Sequence, residues 1–319
     1  MSTNTNAIPR LILGSRGSPL AMAQTDEVRD RLIAAWPALG QPNTIAIEII
    51  KTTGDVVRDR PLAELGGKGL FIKEIERALT DGRIDAAVHS MKDMETTMAD
   101  GTVLAAVLPR EDPRDAFIST IADQIDDLPV GAKVGTASVR RGAWVLNRRP
   151  DLEVVLFRGN VDSRLRKLKD GEAAATFLAI AGLNRLGLAD RATRIMGLDD
   201  MLPSVSQGAI GIQTRDGEAN ARDAEILHWT AGLDDRSSRI TVTAERAMLA
   251  TLDGSCRTPI AGHARINGSH LTLDATVLSL DGRIRYDATL TGLATDPDAL
   301  GHAVGEALLA QCGRDFLAG

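Results

Sequence analysis

The sequence predicts an α/β protein with two domains of alternating strands and helices, followed by a smaller α+β domain built on an antiparallel sheet. Three observations carry this expectation. Over roughly the first two thirds of the chain, short apolar runs alternate with segments of helical period. Two aperiodic, proline-bearing segments, 109–115 and 202–208, read as a crossover between domains and a return. Beyond residue 257 the period drops to two, and Asn267-Gly268 and Asp281-Gly282 separate three strand patterns in the manner of tight hairpins.

Each element has its own signal. Residues 11–13 form a short strand ending at Gly14, and Ser18-Pro19 supplies an N-cap and a first-turn proline for a helix to about Ala35. Ile45, Ile47 and Ile49 alternate within a half-buried strand over 44–51. Gly66-Gly67-Lys68-Gly69 is a glycine loop opening a helix to about Thr80, and residues 84–89 and 103–108 are strands, the second stopped by Pro109. In the next run, strands at 133–135, 153–157 and 174–178 lead into helices, the first two starting at Ser138 and Val161. A strand over 209–214 and helices over about 218–252 precede strands at 258–266, 270–279 and 283–291, and a helix over 297–312 closes the chain. The expected domains are a flexible tail at 1–10, an α/β domain over 11–108 plus 209–231, a second over 114–203, and an α+β domain over 236–319.

Composition narrows the function. With 44% hydrophobic and 25% charged residues in 319, the chain is a folded globular protein. A net charge of −6 and only 3% aromatic residues argue against nucleic acid as a partner, whether bound by phosphates or by stacked bases. No stretch approaches the ~20 apolar residues of a membrane helix, and the polar start from Met1 to Arg10 lacks a signal-peptide core. Cys256 and Cys312 are too few for a disulfide framework, so a reducing cytoplasm is expected. The histidines show no metal-ligand spacing, Lys68 is followed by Gly69 rather than Ser or Thr, and no G-x-G-x-x-G occurs, so neither a metal nor a nucleotide is expected.

What recurs is basic and hydroxyl residues where strands give way to helices: Ser15-Arg16-Gly17-Ser18, Thr136-Ala137-Ser138-Val139-Arg140-Arg141 and Arg158-Gly159-Asn160-Val161-Asp162-Ser163-Arg164. Helix starts carry orphan N–H groups and the positive end of the dipole, and arginine adds bidentate pairing with carboxylates. Arg16, Arg140, Arg141 and Arg158 therefore read as an anion site, whereas Arg166, Lys167 and Lys169 continue along a solvated helix face. Lys68 is equally consistent with ligand contact and with a simple helix entry. Lys92-Asp93, after a buried strand, reads on spacing alone as a surface ion pair, with proton transfer as the alternative. A free cysteine usually packs in a core, but Cys256, in a glycine-containing turn, reads as accessible and able to serve as a covalent attachment point, while Cys312 lies on an amphipathic helix and reads as packing.

From about Leu11 to near the C-terminus the chain resembles the porphobilinogen deaminase (hydroxymethylbilane synthase) family. The resemblance rests on motifs in order: Arg16-Gly17-Ser18-Pro19-Leu20-Ala21, Gly66-Gly67-Lys68-Gly69-Leu70-Phe71, Ala87-Val88-His89-Ser90-Met91-Lys92-Asp93, Arg110-Glu111-Asp112-Pro113-Arg114-Asp115-Ala116-Phe117, Val139-Arg140-Arg141, Arg158-Gly159-Asn160-Val161, Ala181-Gly182-Leu183-Asn184-Arg185-Leu186-Gly187 and Ala244-Glu245-Arg246.

The resemblance implies two domains like periplasmic binding proteins plus a smaller α+β domain carrying the cofactor cysteine. It implies a monomeric cytoplasmic transferase of haem and other porphyrin biosynthesis that joins four porphobilinogen molecules head to tail, with loss of ammonia, into the tetrapyrrole hydroxymethylbilane. It implies a dipyrromethane cofactor held by a thioether to Cys256, and Asp93 as the catalytic group. It places Lys68, Lys92, Asp93, Ser138, Arg140, Arg141 and Arg158 on the cofactor and Arg16, Ser18, Arg158, Arg164 and Arg185 on the substrate, with no metal, nucleic acid or membrane partner. The chain departs from the family pattern at Glu64, Glu95, Ser206, Gln213 and Ser255, where some relatives carry lysine and others usually carry proline, glycine, glutamate and glycine respectively. Two other classes fit parts of the sequence: a non-catalytic bilobal anion-binding protein, and a DNA-binding regulator with a bilobal effector domain, the latter disfavoured by net charge.

Overall fold

The computed structural model describes residues 10–56, 72–254 and 258–318. The glycine loop with Lys68 and the turn with Cys256 lie outside the described residues. The strands are β1 (Leu11–Ser15), β2 (Ile45–Ile49), β3 (Ala86–Ser90), β4 (Thr102–Val107), β5 (Asp115–Ser119), β6 (Lys133–Gly135), β7 (Glu153–Val155), β8 (Ala175–Ala179), β9 (Arg194–Ile195), β10 (Ile210–Arg215), β11 (Ile260–Asn267), β12 (His270–Leu278) and β13 (Arg285–Leu293). The helices are α1 (Pro19–Ala35), α2 (Thr53–Val56), α3 (Lys73–Thr80), α4 (Val139–Arg148), α5 (Val161–Lys169), α6 (Ile180–Arg185), α7 (Ala221–Ala231), α8 (Arg236–Thr251), α9 (Pro297–Cys312) and α10 (Arg314–Ala318).

Among the described residues, 10–56, 72–109 and 210–236 form one compact unit. Its sheet has the order β2-β1-β3-β10-β4, with β1 parallel to β2 and β3, and β10 antiparallel to β3 and β4. Alternation along each strand divides its side chains between two layers. Leu11, Leu13, Ala86, Val88, Ile210 and Ile212 pack with Val28 and Leu32 of α1 and Ile226 and Trp229 of α7. Ile84 and Ala87 pack with Ile75, Ala78 and Leu79 of α3. Each fully buried leucine or isoleucine contributes about 1.5–3 kcal/mol. The alternating isoleucines of β2 fall at a sheet edge, so Ile45 and Ile47 reach the core while Ile49 stays 56% exposed.

The other unit, residues 110–209 with the described part of 237–318, holds two sheets. One has the order β7-β6-β8-β5-β9, with β6 parallel to β7 and β8 and β5 antiparallel to β8 and β9. Phe117, Val134 and Phe177 pack with Trp144 and Val145 of α4 on one face. Ala116, Ile118 and Leu178 pack with Leu168 and Leu183 on the other. The second sheet is the antiparallel meander β11-β12-β13, turned at Gly268 and Gly282, both at positive φ. Leu273 and Val277 of this sheet join Met248 of α8 and Val304 and Leu308 of α9 in a separate core.

The structure differs from the sequence expectation at β5. Asp115 belonged to the aperiodic crossover, yet it opens a buried strand and is itself 0% exposed. A carboxylate reaches such a place only with compensating partners, and those partners lie at the candidate site.

Candidate functional site

In the first unit the site grows from the carboxyl ends of two adjacent parallel strands, where open α/β sheets bind ligands. β1 ends at Ser15 and turns through Arg16 and Gly17 into α1, whose N-cap Ser18 accepts a hydrogen bond from Ala21 N at 3.2 Å. Buried Ser15 fixes the turn: its Oγ receives the Thr25 hydroxyl at 2.6 Å. Beside it, β3 ends at Ser90 and tightens into a 3-10 turn, Met91–Asp93. Met91 is 1% exposed and plugs the turn into the core, which turns Lys92 and Asp93 outward into half-buried positions. Arg16 Nη1 then lies 3.9 Å from Asp93 Oδ2, with the two side chains 23% and 32% exposed. An accessible carboxylate beside a guanidinium is suited to stabilise a developing cation and to accept a proton.

Behind this turn runs a buried polar chain. Gln213 Nε2 donates to Glu76 Oε1 at 3.0 Å and to Thr102 Oγ1 at 2.8 Å. Both amide protons are thus committed, so Gln213 Oε1 faces His89 Nε2 at 3.1 Å and that nitrogen carries the proton. Strand β10 can approach Met91 only because residue 211 is glycine: a Cβ there would stand 2.1 Å from Met91 Sδ.

In the second unit the corresponding strand ends carry the other arginines. β6 leads through Thr136 to Ser138, the N-cap of α4, which accepts from Arg141 N at 3.4 Å. Arg140 and Arg141 on the first turn do not project into solvent; both are 5% exposed and clamp Asp115. Arg140 Nη2 donates to Asp115 Oδ2 at 2.6 Å and Arg141 Nη2 to Oδ1 at 2.7 Å. Their Nη1 groups donate to Leu202 O and Phe177 O, each at 2.8 Å. The Nε of each is buried and has no hydrogen-bond partner among the described residues. Gln207 adds a third bond to Asp115 Oδ1, at 2.9 Å. Burial alone would raise the Asp115 pKa, but the charges of Arg140 and Arg141 and the bonds from Arg141 and Gln207 outweigh it and hold the carboxyl well below its usual range. Burial and the neighbouring Arg141 pull the Arg140 pKa down, against the attraction of Asp115.

The remaining basic residues flank later strand ends. Arg158 is half-buried before Asn160, the N-cap of α5. Arg164 Nε donates to Gly159 O at 3.0 Å, and Arg185 Nη2 to Gly208 O at 3.1 Å. On the outer face of α5, Arg166 and Lys169 are exposed and Lys167 lies over the Phe157 ring at 5.3 Å, in line with a solvated surface. Lys68 and Cys256 lie outside the described residues. Among those described, no cluster of three His, Cys, Asp or Glu side chains could hold a metal ion, and no helix is long and apolar enough to cross a membrane.

Sequence reasoning did not single out four groups on which this arrangement depends: Asp115, Gln207, Arg110 and Glu245. Arg110 pairs with Glu245 through two bonds of 2.6 and 3.1 Å, with the carboxylate 0% exposed. Glu245 also accepts Ser206 N at 2.6 Å and Ala264 N at 2.9 Å. Burial opposes its ionisation, but Arg110 and His263 overcome it and bring its pKa to about 2. The available signal was the presence of these residues in the quoted motifs or linker segments, without any pattern to say what they touch.

Residues 11–223 match the family model "Porphobilinogen deaminase, dipyromethane cofactor binding domain", and 239–310 match "Porphobilinogen deaminase, C-terminal domain". The chain is similar to the porphobilinogen deaminase of Nitrobacter winogradskyi, 52% identical over 304 residues that cover 95% of this chain and 94% of that one. It is 50% identical to the chloroplastic porphobilinogen deaminase of Oryza sativa over 281 residues, 88% of this chain and 77% of the other. A solved methionine-binding protein overlaps 70% of this chain and 89% of its own at 13% identity and a TM-score of 0.44. By these matches over nearly its full length, the chain belongs to the porphobilinogen deaminase family.

Proposed function

We propose that this protein is a deaminating transferase of tetrapyrrole and haem biosynthesis that converts four porphobilinogen molecules and one water into hydroxymethylbilane and four ammonia. The observation that carries the reading is the Arg16–Asp93 pair at the ends of adjacent parallel strands, in a chain of this family. The substrate's protonated aminomethyl group departs as neutral ammonia as the pyrrole nitrogen supplies electrons, which leaves an electron-poor methylene-pyrrole cation. Asp93 stabilises that cation, and takes the proton released from the pyrrole α-carbon once the new carbon–carbon bond has formed. Arg16 holds the carboxylate in place and, with Ser18, Arg158, Arg164 and Arg185, meets the acetate and propionate groups of the substrate.

The residues fit a dipyrromethane: two guanidiniums share one buried carboxylate, and each keeps an Nε–H without a partner among the described residues. Arg140, Arg141, Arg158, Ser138, Lys68, Lys92 and Asp93 would hold it, with a thioether to Cys256. When bound, it supplies the terminal pyrrole carbon to which the first unit is joined. We also propose a cytoplasmic monomer and the domain division 11–108 plus 209–231, 114–203 and 236–319, a division supported by separate sheets with separate cores. Asp93→Asn tests the central role: turnover of porphobilinogen should fall by about 10²–10⁴ while the dipyrromethane mass stays on the chain. Near-normal turnover in that variant would refute it.

A further inference from the structure

We infer that Asp115 and Gln207 are positioning residues that aim the Arg140 and Arg141 guanidiniums and leave their cluster with one positive charge in excess, so that it takes a ligand carboxylate. The inference rests on the proposed role of the two arginines toward acidic pyrroles.

The geometry is specific. Asp115 is 0% exposed and receives one Nη2 on each carboxylate oxygen, which sets both guanidinium planes. Gln207, 1% exposed, spends its two amide protons on Asp115 Oδ1 at 2.9 Å and Pro113 O at 2.7 Å. The main-chain carbonyl of Gln207 accepts Arg110 Nε at 2.8 Å, which ties its backbone to the Arg110–Glu245 pair. The amide therefore fixes the carboxylate without adding charge.

Two guanidiniums and one carboxylate sum to a single positive charge, buried, with two Nε–H groups unpartnered among the described residues. A buried uncompensated charge is costly. Its retention makes sense where an anion completes it, and a carboxylate matches the planar donors of arginine. Charged groups around Gln207 include Asp115 from β5, Arg140 and Arg141 from α4, Arg110, Glu111 and the Asp112–Arg114 pair from the crossover, Glu245 from α8 with His263 of β11 at 3.6 Å, and Arg185 of α6 at Gly208 O. At residue 207 a neutral side chain stands where a carboxylate of the same shape would cancel the excess.

The test compares Gln207→Glu and Gln207→Met with the wild-type chain, reading sulfate affinity of the unloaded protein by calorimetry and KM and kcat for porphobilinogen across pH 5–9. In Gln207→Glu a protonated carboxyl can still donate to Asp115, giving up only the bond to Pro113 O, so behaviour closer to wild type is expected at the acid end. As that group ionises, sulfate affinity should fall about tenfold and KM rise about tenfold, with kcat changed less than threefold. Gln207→Met keeps the charge and loses the bond, and should show a smaller rise in KM that does not vary with pH. Wild-type behaviour of Gln207→Glu at every pH, the same pH-independent loss in both variants, or no sulfate binding by the wild type would each overturn the inference. Should Gln207→Glu not fold, an unchanged sulfate affinity in Gln207→Met overturns it. If sulfate binding depends on Gln207 as expected but porphobilinogen is not turned over, this inference stands and the proposed function falls.

Discussion

Replacing Ser206 by glycine should stabilise the unit that contains it. Ser206 sits at φ +59, in the left-handed region, and is 1% exposed with a hydroxyl that has no hydrogen-bond partner among the described residues. Left-handed backbone costs an L-residue about 1–2 kcal/mol, and a buried unsatisfied hydroxyl about 1–3 kcal/mol. Glycine removes both and gives back about 0.5–1 kcal/mol in backbone entropy. The net gain centres on about 3 kcal/mol, which for a cooperative unit of 150–250 residues raises the midpoint by about 6–12 °C. Nothing else at the position needs the side chain, since the interaction with Glu245 Oε2 is made by the backbone N–H at 2.6 Å. Ser206→Ala separates the contributions: it removes the hydroxyl and keeps the strained backbone, so its midpoint should fall between serine and glycine. Scanning calorimetry at neutral pH and fixed scan rate is the assay. A glycine variant no more stable than wild type would refute the reasoning, and an alanine variant less stable than serine would show that the hydroxyl is satisfied.

Glu245 makes stability acid-sensitive in a defined window. Its pKa falls from 4.5 to about 2 on folding, so its contribution is fully present above 4.5 and is lost as pH drops from there through 2. At 1.36 kcal/mol per unit this is roughly 3 kcal/mol; urea midpoints measured against pH should show it, and Glu245→Gln should flatten that dependence while lowering stability at pH 7. Gly211→Ala drives a Cβ to within 2.1 Å of Met91 Sδ and should cost about 1–3 kcal/mol. Because Met91 underlies Lys92 and Asp93, turnover should fall as well, and Met91→Ala in the same chain should recover part of the loss of turnover. Cys256→Ser should leave a folded chain whose intact mass never gains the dipyrromethane, and a retained adduct would move the attachment point elsewhere.

The regular elements were legible because periodicity and turn chemistry are local. Asn267-Gly268 and Asp281-Gly282 announced the meander, and Ser18-Pro19 and Ser138 announced helix starts that the structure shows as side-chain caps. Asp115 was not legible. Pattern reading equates charge with solvent, and the groups that compensate Asp115 are Arg140, Arg141 and Gln207, some 25, 26 and 92 positions away. The same holds for Glu245, whose partner Arg110 is 135 positions distant. The burial of Arg140 and Arg141 follows from this: their place at a helix start was readable, and the carboxylate that draws them inward was not.

The central place of β10 bears on how the chain is made. Residues 210–215 hydrogen-bond to β3 on one side and β4 on the other, although more than a hundred residues intervene after β4. During synthesis from the N-terminus, the strand that ends in Ser90, just ahead of Asp93, and its neighbour β4 must wait with open edges until Arg215 has emerged. Open edges of this kind invite pairing with other chains. A chain interrupted between residues 110 and 209 would therefore carry every residue of the Arg16–Asp93 pair and still lack the strand that holds its sheet together, which makes such fragments candidates for aggregation rather than partial activity.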